Sequence, residues 1–339
     1  MISLTFPERG RAALEDTSAP QCGPGQILVR AVYTGMTNGT ERNQLLGGNY
    51  NPGTWPVPIL GYQHVGEVIE VGAGVDGFAV GDVVYSDTPH RELNLAETGA
   101  GANTILVPES VEPKHAALFG VAGVAMHSVA RADLLQGERC LVVGAGLIGQ
   151  MTARIAAAKG AEVWICDVDP ERLEIAAEEG VGPIALTEEA RSWSAVRERG
   201  PFDVVFEDSG APVLDRIFGR GWPGEVYPDG PAEPGLTHRS PEIDRSRVGK
   251  RRSRVVVVAG RDRVSYDFNA AQVHEISVLH VSHFDSADLG EVVRMTAAGE
   301  LPIGPLIKDE MPIDEAPRAY ARLASDPGSL LGTIFAWDG

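Results

Sequence analysis

The sequence predicts an α/β protein that joins a β-rich domain to a doubly wound parallel sheet. Three observations predict this class. An apolar run enters a glycine-rich turn at 140–149, strand and helix patterns alternate from Arg139 onward, and residues 1–110 carry closely spaced strands broken by glycine. A chain of 339 residues is long enough for two domains.

The N-terminal part is predicted to form a small barrel-like β domain. Its strands alternate apolar and polar side chains or follow glycine turns, and they are expected at 26–33, 65–72, 81–85 and 103–108. From about residue 113 the sequence pattern changes, and an Ala-rich helix is expected at 114–135.

The glycine turn has the spacing of a dinucleotide-binding site. Its first glycine permits a tight turn, its second lets a pyrophosphate approach the backbone, and its third lets the next helix pack on the strand. The helix that follows offers free N–H groups and a partial positive charge to the phosphates. The predicted cofactor-binding residues of the turn are Gly144, Gly146, Leu147, Ile148 and Gly149.

A second apolar run, 162–166, ends on Asp167. A carboxylate at this place bonds both ribose hydroxyls and repels a 2′-phosphate, which favours NAD over NADP. Because strand, turn, helix, strand and acid follow in register, we interpret the turn as a cofactor site and not as an ordinary βα turn.

The later elements continue the alternation of strands and helices. Parallel strands are expected at 202–210 and 254–260, a final βα unit at 270–284, helices at 289–298 and 313–324, and a closing strand at 332–337. The acidic residues Asp314 and Glu315 in the first turn of the last helix suit its macrodipole.

A polar stretch at 219–253, rich in Gly, Pro and Arg, is long for a connection inside a compact domain. It is interpreted as a solvated insertion, with an anion-recruiting lid as the alternative. The basic cluster on which that alternative depends consists of Arg245, Arg247, Lys250, Arg251, Arg252 and Arg254.

Composition excludes several classes of function. The net charge of −18 argues against a nucleic-acid-binding surface. No apolar run approaches the roughly 20 residues of a membrane span, and no signal peptide is visible, so we expect a cytoplasmic protein that does not bind membranes. The three cysteines form neither a disulfide framework nor a four-cysteine zinc site, and Cys140 and Cys166 are expected to be buried.

Together these segments resemble the medium-chain dehydrogenase/reductase superfamily over essentially the whole chain. The segments that carry the resemblance are 24–30, 39–41, 61–68, 80–84 and 142–149. The resemblance implies a GroES-like catalytic domain (1–122 and 285–339), an inserted Rossmann domain (123–284) and an active site in the cleft. It also implies hydride transfer between NAD(P) and an alcohol–carbonyl pair, or sometimes an activated C=C bond, and a homodimer or tetramer.

The chain departs from this family at its zinc sites. Asn38 stands where zinc members have Cys, Gly61-Tyr62-Gln63 stands for their Gly-His-Glu, and the remaining ligand position falls near Gly120. Residues 86–103 lack the four cysteines of the structural site. We therefore predict no zinc. The pattern resembles a zinc-lacking branch that includes bacteriochlorophyllide dehydrogenase and cyclitol dehydrogenases of secondary metabolism.

Without zinc, a side chain must move the hydroxyl proton. Thr40 matches the family's proton-relaying hydroxyl, and Tyr62 takes a ligand position and is expected to point into the cleft. His64 faces the same way if that segment is extended, and imidazole titrates near neutrality. The alternatives are a turn or helix-cap role for Thr40, a ring that only fills the space of the metal for Tyr62, and a structural role for His64.

Four further residues are predicted to contact substrate. Asn38 and Gln63 border the emptied zinc site, and His127 lies on the helix that leads into the Rossmann domain. His283 lies at the end of the last βα unit, where ligands of parallel sheets bind.

These observations leave three hypotheses. The leading one is an NAD-dependent, zinc-independent oxidoreductase that interconverts a secondary alcohol and a ketone on a cyclitol, a sugar-like compound or a secondary metabolite. The first alternative is a zinc-independent quinone or enone reductase, a class that usually prefers NADPH and lacks an acid like Asp167. A catalytically inactive dinucleotide-binding module is the alternative of another class.

Overall fold

The computed structural model describes residues 1–51, 53–57, 59–186, 193–219, 226–227, 230–231 and 247–337. The chain forms two compact units, one built from residues 1–124 and 283–339 and the other from residues 125–282. The boundary falls inside helix α3 (Phe119–Arg131).

The first unit contains a seven-stranded sheet and a separate hairpin of β1 and β2. The helices and strands of this unit, besides α3, are in chain order β1 (Ile2–Glu8), β2 (Arg11–Asp16), β3 (Gln26–Gly35), α1 (Asn38–Leu45), β4 (His64–Val71), β5 (Val83–Ser86), β6 (Leu93–Glu97), β7 (Thr104–Leu106), α2 (Pro113–Ala116), α9 (Ser286–Ala297), β16 (Asp309–Pro312), α10 (Ala316–Ser325) and β17 (Thr333–Ala336). The sheet order is β16-β17-β3-β4-β5-β7, and β6 pairs with β3. The C-terminal strand β17 therefore completes the sheet that the N-terminal third begins.

The second unit contains a six-stranded parallel sheet. Its elements are β8 (Arg139–Val143), α4 (Leu147–Ala158), β9 (Glu162–Asp167), α5 (Pro170–Ala177), β10 (Gly182–Ala185), α6 (Trp193–Arg199), β11 (Phe202–Glu207), α7 (Leu214–Phe218), β12 (Val226–Tyr227), β13 (Gly230–Pro231), β14 (Gly249–Val257), α8 (Phe268–Val273) and β15 (Ser277–His280). The order β10-β9-β8-β11-β14-β15 is that of a Rossmann fold, with β8 at the centre. The predicted fold class is confirmed.

Local sequence explains where several helices of the second unit begin. The side chain of Asp169 accepts hydrogen bonds from the N–H groups of Glu171 and Arg172, and Pro170 occupies the first turn of α5. Asp267 caps α8 in the same way. The central strands β8 and β11 are buried on both faces, and Cys140 in β8 and Cys166 in β9 are fully buried, as expected.

The prediction for the 219–253 stretch is wrong at its C-terminal end. Strand β14 begins at Gly249, so Lys250, Arg251 and Arg252 lie in the same strand as Arg254, which was predicted to begin it. Lys250 pairs with Asp203 at 2.7 Å, and Arg251 and Arg252 pair with Glu275. Arg254 pairs with Glu138 and donates to the carbonyl oxygen of Ala132. These cations have carboxylate partners within their own unit, which weakens the interpretation of an anion-recruiting lid; Arg245 lies outside the described residues.

Among the described residues, no helix has both the length and the apolar content needed to cross a bilayer.

Candidate active site

Two of the three glycines in the turn between β8 and α4 have no room for a side chain. Gly144 has a φ of +105°, and a Cβ there would lie 2.8 Å from the Cα of Ser209. A Cβ on Gly149 would overlap the carbonyl oxygen of Gly144. Glycine at these positions therefore lets the helix start directly against the turn.

Gly146 differs from its neighbours, because no atom lies within 4 Å of the place that its Cβ would take. It is the N-cap residue of α4, and no side chain caps the helix there. The first turn, with Leu147 and Ile148, thus keeps free N–H groups at the positive end of the helix dipole. This arrangement suits a pyrophosphate.

Asp167 ends β9 beside this turn. Its carboxylate accepts hydrogen bonds from the N–H groups of Ala145, at 2.5 Å, and Asp169, at 2.9 Å. The acid is therefore held against the glycine turn, where the family's dinucleotide fold places the adenosine ribose. The turn, the helix start and the acid together fit a nicotinamide dinucleotide.

The residues at the predicted zinc-ligand positions do not fit a zinc ion. Asn38 begins α1, and its Nδ2 donates to the carbonyl oxygen of Leu330 at 2.8 Å. A Cβ on Gly120 would lie 2.5 Å from the Tyr85 hydroxyl and 3.1 Å from Cδ2 of Tyr62. An amide, a phenol and a glycine surrounded by rings are not the Cys, His and carboxylate set that holds catalytic zinc.

Tyr62 is the one ionisable side chain among these three positions. The pKa of its phenol is raised to about 12, chiefly by burial and also by the carboxylate of Glu41 and the phenol of Tyr50, whereas the nearby hydroxyls of Thr37 and Thr40 act to lower it. The phenol of Tyr62 is therefore neutral at neutral pH. The predicted candidates Thr40 and Tyr62 lie together.

His283 also lies beside Tyr62. The two ring centroids are 5.1 Å apart, and Phe284 contacts both rings, at 6.4 Å from Tyr62 and 4.3 Å from His283. His283 is exposed and has a φ of +51°, a left-handed conformation that side chains other than glycine rarely adopt. Such backbone conformations recur at ligand sites.

Gln63 is fully bonded within the first unit. Its Nε2 donates to the carbonyl oxygen of Gly35, at 3.3 Å, and to Oγ1 of Thr37, at 3.0 Å, while its Oε1 accepts from the N–H of Val121, at 3.0 Å. Its side chain is almost completely buried. These bonds favour a positioning role for Gln63 over the direct substrate contact that the sequence suggests.

His64 differs from the expectation of an imidazole that titrates near neutrality. It is completely buried in β4, and burial, together with the neighbouring His90, lowers its pKa to about 3. The ring therefore stays neutral at physiological pH. This favours the structural alternative for His64 over a role in proton transfer.

A buried polar cluster beside the site has members that the sequence did not reveal. The Glu41 carboxylate accepts from the N–H of Thr37 at 2.7 Å, lies 3.3 Å from Nε2 of His90, and accepts from the Tyr320 hydroxyl. His90 packs against Gly61, where a Cβ would overlap its ring. The cluster therefore fixes the backbone on both sides of the site, at the start of α1 and just before Tyr62.

The last predicted residue, His127, lies half-buried on α3 in the second unit. Its contact with substrate stays a prediction.

Two domain families match this chain. Residues 23–135 match the alcohol dehydrogenase GroES-like domain. Residues 139–195 match the NAD-binding domain of 3-hydroxyacyl-CoA dehydrogenase. The second match contains the glycine turn and Asp167.

Bacterial dehydrogenases are similar to this chain in sequence and in fold. The chain is 30% identical to an L-threonine 3-dehydrogenase of Pseudoalteromonas atlantica, over 60% of this chain and 68% of that protein. It is 27% identical to a 2-dehydro-3-deoxy-L-galactonate 5-dehydrogenase of the same species, over 93% and 92% of the two chains. The solved structure of galactitol-1-phosphate dehydrogenase from Escherichia coli has a similar fold, with a TM-score of 0.81 at 15% identity over 99% of this chain and 100% of that one.

Proposed function

The chain is a nicotinamide-dependent dehydrogenase of the medium-chain dehydrogenase/reductase family, and on that premise we propose a zinc-independent, NAD-preferring enzyme in which Tyr62 supplies the proton. Its substrate pair is a ketone and the corresponding secondary alcohol on a polar, hydroxylated molecule. The observation that carries the proposal is the phenol of Tyr62, which stands at a ligand position, lies 5.1 Å from the ring of His283 and stays neutral at neutral pH.

Without a metal, a side chain must supply the proton for ketone reduction, and a phenol can do so. The nicotinamide, when bound, supplies the hydride for a ketone or accepts it from an alcohol. As the carbonyl oxygen gains negative charge, the O–H of Tyr62 passes its proton to that oxygen, and solvent later restores the phenol. A phenol with a pKa of about 12 is a stronger acid than an alcohol, so this transfer is favourable.

The same pKa favours the reductive direction at neutral pH. Oxidation of an alcohol needs Tyr62 as a base, and the phenolate is a minor species well below a pH of about 12. Reduction needs only the neutral phenol, which is the dominant form. We therefore expect ketone reduction to be the faster reaction at neutral pH.

Two observations support a hydroxylated substrate. Oδ1 of Asn38 is buried and has no hydrogen-bond partner among the described residues, so it is suited to accept a hydrogen bond from a substrate hydroxyl. The relatives named above act, by name, on a hydroxy-amino acid and on a deoxy sugar acid. The preference for NAD follows from the Asp167 carboxylate, which would repel a 2′-phosphate.

A cofactor and substrate panel tests this proposal. The purified chain is assayed with NADH and NADPH against dihydroxyacetone, myo-inosose and a simple quinone. We expect NADH-dependent reduction of a hydroxylated ketone. NADPH-dependent quinone reduction would instead support the quinone reductase alternative, and NADH binding without any turnover would contradict the proposed reaction.

A further inference from the structure

The side chain of Gln150 links the glycine turn to the first turn of α5. Its Nε2 donates to the carbonyl oxygen of Arg172 at 2.7 Å and to the carbonyl oxygen of Ala145 at 3.4 Å. Ala145 belongs to the turn between β8 and α4, and Arg172 lies in α5. Gln150 is completely buried, so water does not compete for these hydrogen bonds. One amide group therefore holds together two elements that are distant in sequence.

Both carbonyl partners of Gln150 belong to residues that also hold Asp167 in place. The N–H of Ala145 donates to Oδ2 of Asp167 at 2.5 Å. From the other side, the N–H of Arg172 donates to Oδ1 of Asp169 at 3.4 Å, and the N–H of Asp169 donates to Oδ1 of Asp167 at 2.9 Å. These hydrogen bonds close a ring, hereafter the Asp167 ring, in which each carboxylate oxygen of Asp167 is held from a different side.

Arg154 fixes the orientation of the Gln150 amide. Its Nη1 donates to Oε1 of Gln150 at 2.8 Å, and a guanidinium can only donate, so Nε2 must face the two carbonyl oxygens. Nη2 of Arg154 donates to the carbonyl oxygen of Ile175 in α5 at 3.4 Å and lies 3.8 Å from the Glu179 carboxylate. Arg154 is almost completely buried, and a buried cation is costly unless it has such partners. The guanidinium therefore adds a second link between α4 and α5.

We propose that Gln150 and Arg154 are positioning residues for the cofactor, which hold the Asp167 carboxylate in the orientation that binds the adenosine ribose. A binding group must be kept close to its productive geometry by partners that are themselves fixed. The Asp167 ring supplies such partners, and it leaves each oxygen of Asp167 with a lone pair for a ribose hydroxyl. This inference rests on the proposed role of Asp167 in binding NAD.

The Asp167 ring also gives a physical reason for a polar pair at these two positions. Apolar side chains of similar length would pack in α4 without the cost of burying a guanidinium. An apolar side chain at position 150, however, donates to neither carbonyl oxygen, so Ala145 and Arg172 would each lose that partner. The ring would open, and the carboxylate of Asp167 would be held less firmly.

Two variants and one control test the inference. Gln150→Met removes both donated hydrogen bonds with little change in shape, and Arg154→Met removes the cation that orients the amide. Ile155→Val is the control, because Ile155 is also fully buried in α4 but its side chain makes no hydrogen bond of the ring. Thermal unfolding establishes that each variant is folded at the temperature of the assay.

The first readout is the NADH affinity, measured by fluorescence titration with and without the additional substitution Asp167→Ala. Gln150→Met should weaken NADH binding roughly tenfold, near the upper end for a lost hydrogen bond, and Arg154→Met should weaken it less. In the Asp167→Ala background, Gln150→Met should change the affinity by less than about twofold, since no carboxylate remains to be positioned. Ile155→Val should leave the NADH affinity unchanged in both backgrounds.

The second readout is the NADPH affinity of the same variants. NADPH carries a phosphate in place of the 2′-hydroxyl that Asp167 would bind, so the orientation of the carboxylate matters less to it. We expect Gln150→Met to change the Kd of NADPH far less than the Kd of NADH. A general distortion of the glycine turn would weaken both cofactors alike, because both bring a pyrophosphate to it.

These readouts separate the inference from the proposed function. Wild-type NADH affinity in Gln150→Met, an equal loss in both backgrounds or an equal loss for both cofactors would overturn the inference, even if Asp167→Ala binds NADH weakly. An Asp167→Ala variant that binds NADH as tightly as the wild type would reject the ribose-binding role of Asp167, and the inference with it.

Discussion

The imidazole ring of His283 lies 5.1 Å from the phenol ring of Tyr62, centroid to centroid, although the two residues come from distant parts of the chain. Tyr62 is half-buried, and burial raises the pKa of its phenol to about 12, whereas His283 is exposed. The pair thus combines a half-buried phenol, neutral at neutral pH, with an accessible polar ring. This difference suggests that the two residues have separate roles.

Replacing His283 with alanine should raise the KM of the ketone about tenfold and change kcat far less, because an exposed ring binds substrate without supplying the proton. Steady-state kinetics check this. His283→Gly is the matched variant, since it also removes the ring but relieves the φ of +51°, and it should melt at a higher temperature than His283→Ala. Equal losses in kcat and kcat/KM would instead place His283 in the proton transfer.

Two glycines of the cofactor turn should respond differently to alanine. Gly149→Ala should destabilise the protein by several kcal/mol or prevent folding, because its Cβ overlaps the carbonyl oxygen of Gly144. Gly146→Ala should leave the stability nearly unchanged, since its Cβ meets nothing and its φ of −67° suits alanine. Its NADH affinity should nonetheless fall, because the methyl group enters the space left for the pyrophosphate.

Urea unfolding and fluorescence titration with NADH measure these two effects. A Gly146→Ala variant with wild-type NADH affinity would mean that the pyrophosphate does not approach this glycine.

Asp167→Asn should shift the cofactor preference. The amide oxygen can still accept from the N–H of Ala145, which holds the turn, while the bond from the N–H of Asp169 is lost and the negative charge that repels a 2′-phosphate is gone. We expect the ratio of kcat/KM for NADPH over NADH to rise roughly tenfold, in line with the loss of a charge–charge repulsion near the surface. An unchanged ratio would show that other residues set the preference.

His64 should make folding sensitive to acid. Its pKa is about 3 in the folded chain, against 6.5 for an ordinary histidine, so below pH 6.5 the unfolded state binds a proton that the folded state refuses. Its contribution to stability is complete above pH 6.5 and is lost, by about 1.4 kcal/mol per pH unit, as the pH falls toward 3. Urea unfolding between about pH 7 and pH 4 measures the loss.

A His64→Phe variant removes this titration and supplies the comparison. If it loses stability in acid as steeply as the wild type, the acid sensitivity comes from other groups.

The cofactor site was predictable because the residues that identify it lie close together in sequence. Strand, glycine turn, helix, strand and acid all fall within about thirty residues, and Gly144 and Gly149 each have a steric reason in the structure. The hairpin of β1 and β2 was missed, although Gly10, with a φ of +77°, marks its turn.

The surroundings of Tyr62 were predictable only in part, since the residues that meet there are distant from one another in sequence. Tyr62 followed from the emptied ligand position, but Glu41 meets His90 and Tyr320 only through the fold. Lys250, Arg251 and Arg252 were assigned to an insertion for the same reason. Arg251 and Arg252 pair with Glu275, which comes from another part of the unit, so the start of a strand resembled a solvated loop.

The role of Tyr62 without zinc is tested most directly by assaying ketone reduction by the wild type and by Tyr62→Phe after exhaustive chelation, with the zinc content measured on the same samples. The wild type should keep its activity with far less than one zinc per chain, and Tyr62→Phe should lose about a hundredfold or more in kcat while still binding NADH. Activity that disappears on chelation and returns with zinc, or a Tyr62→Phe variant as active as the wild type, would contradict it.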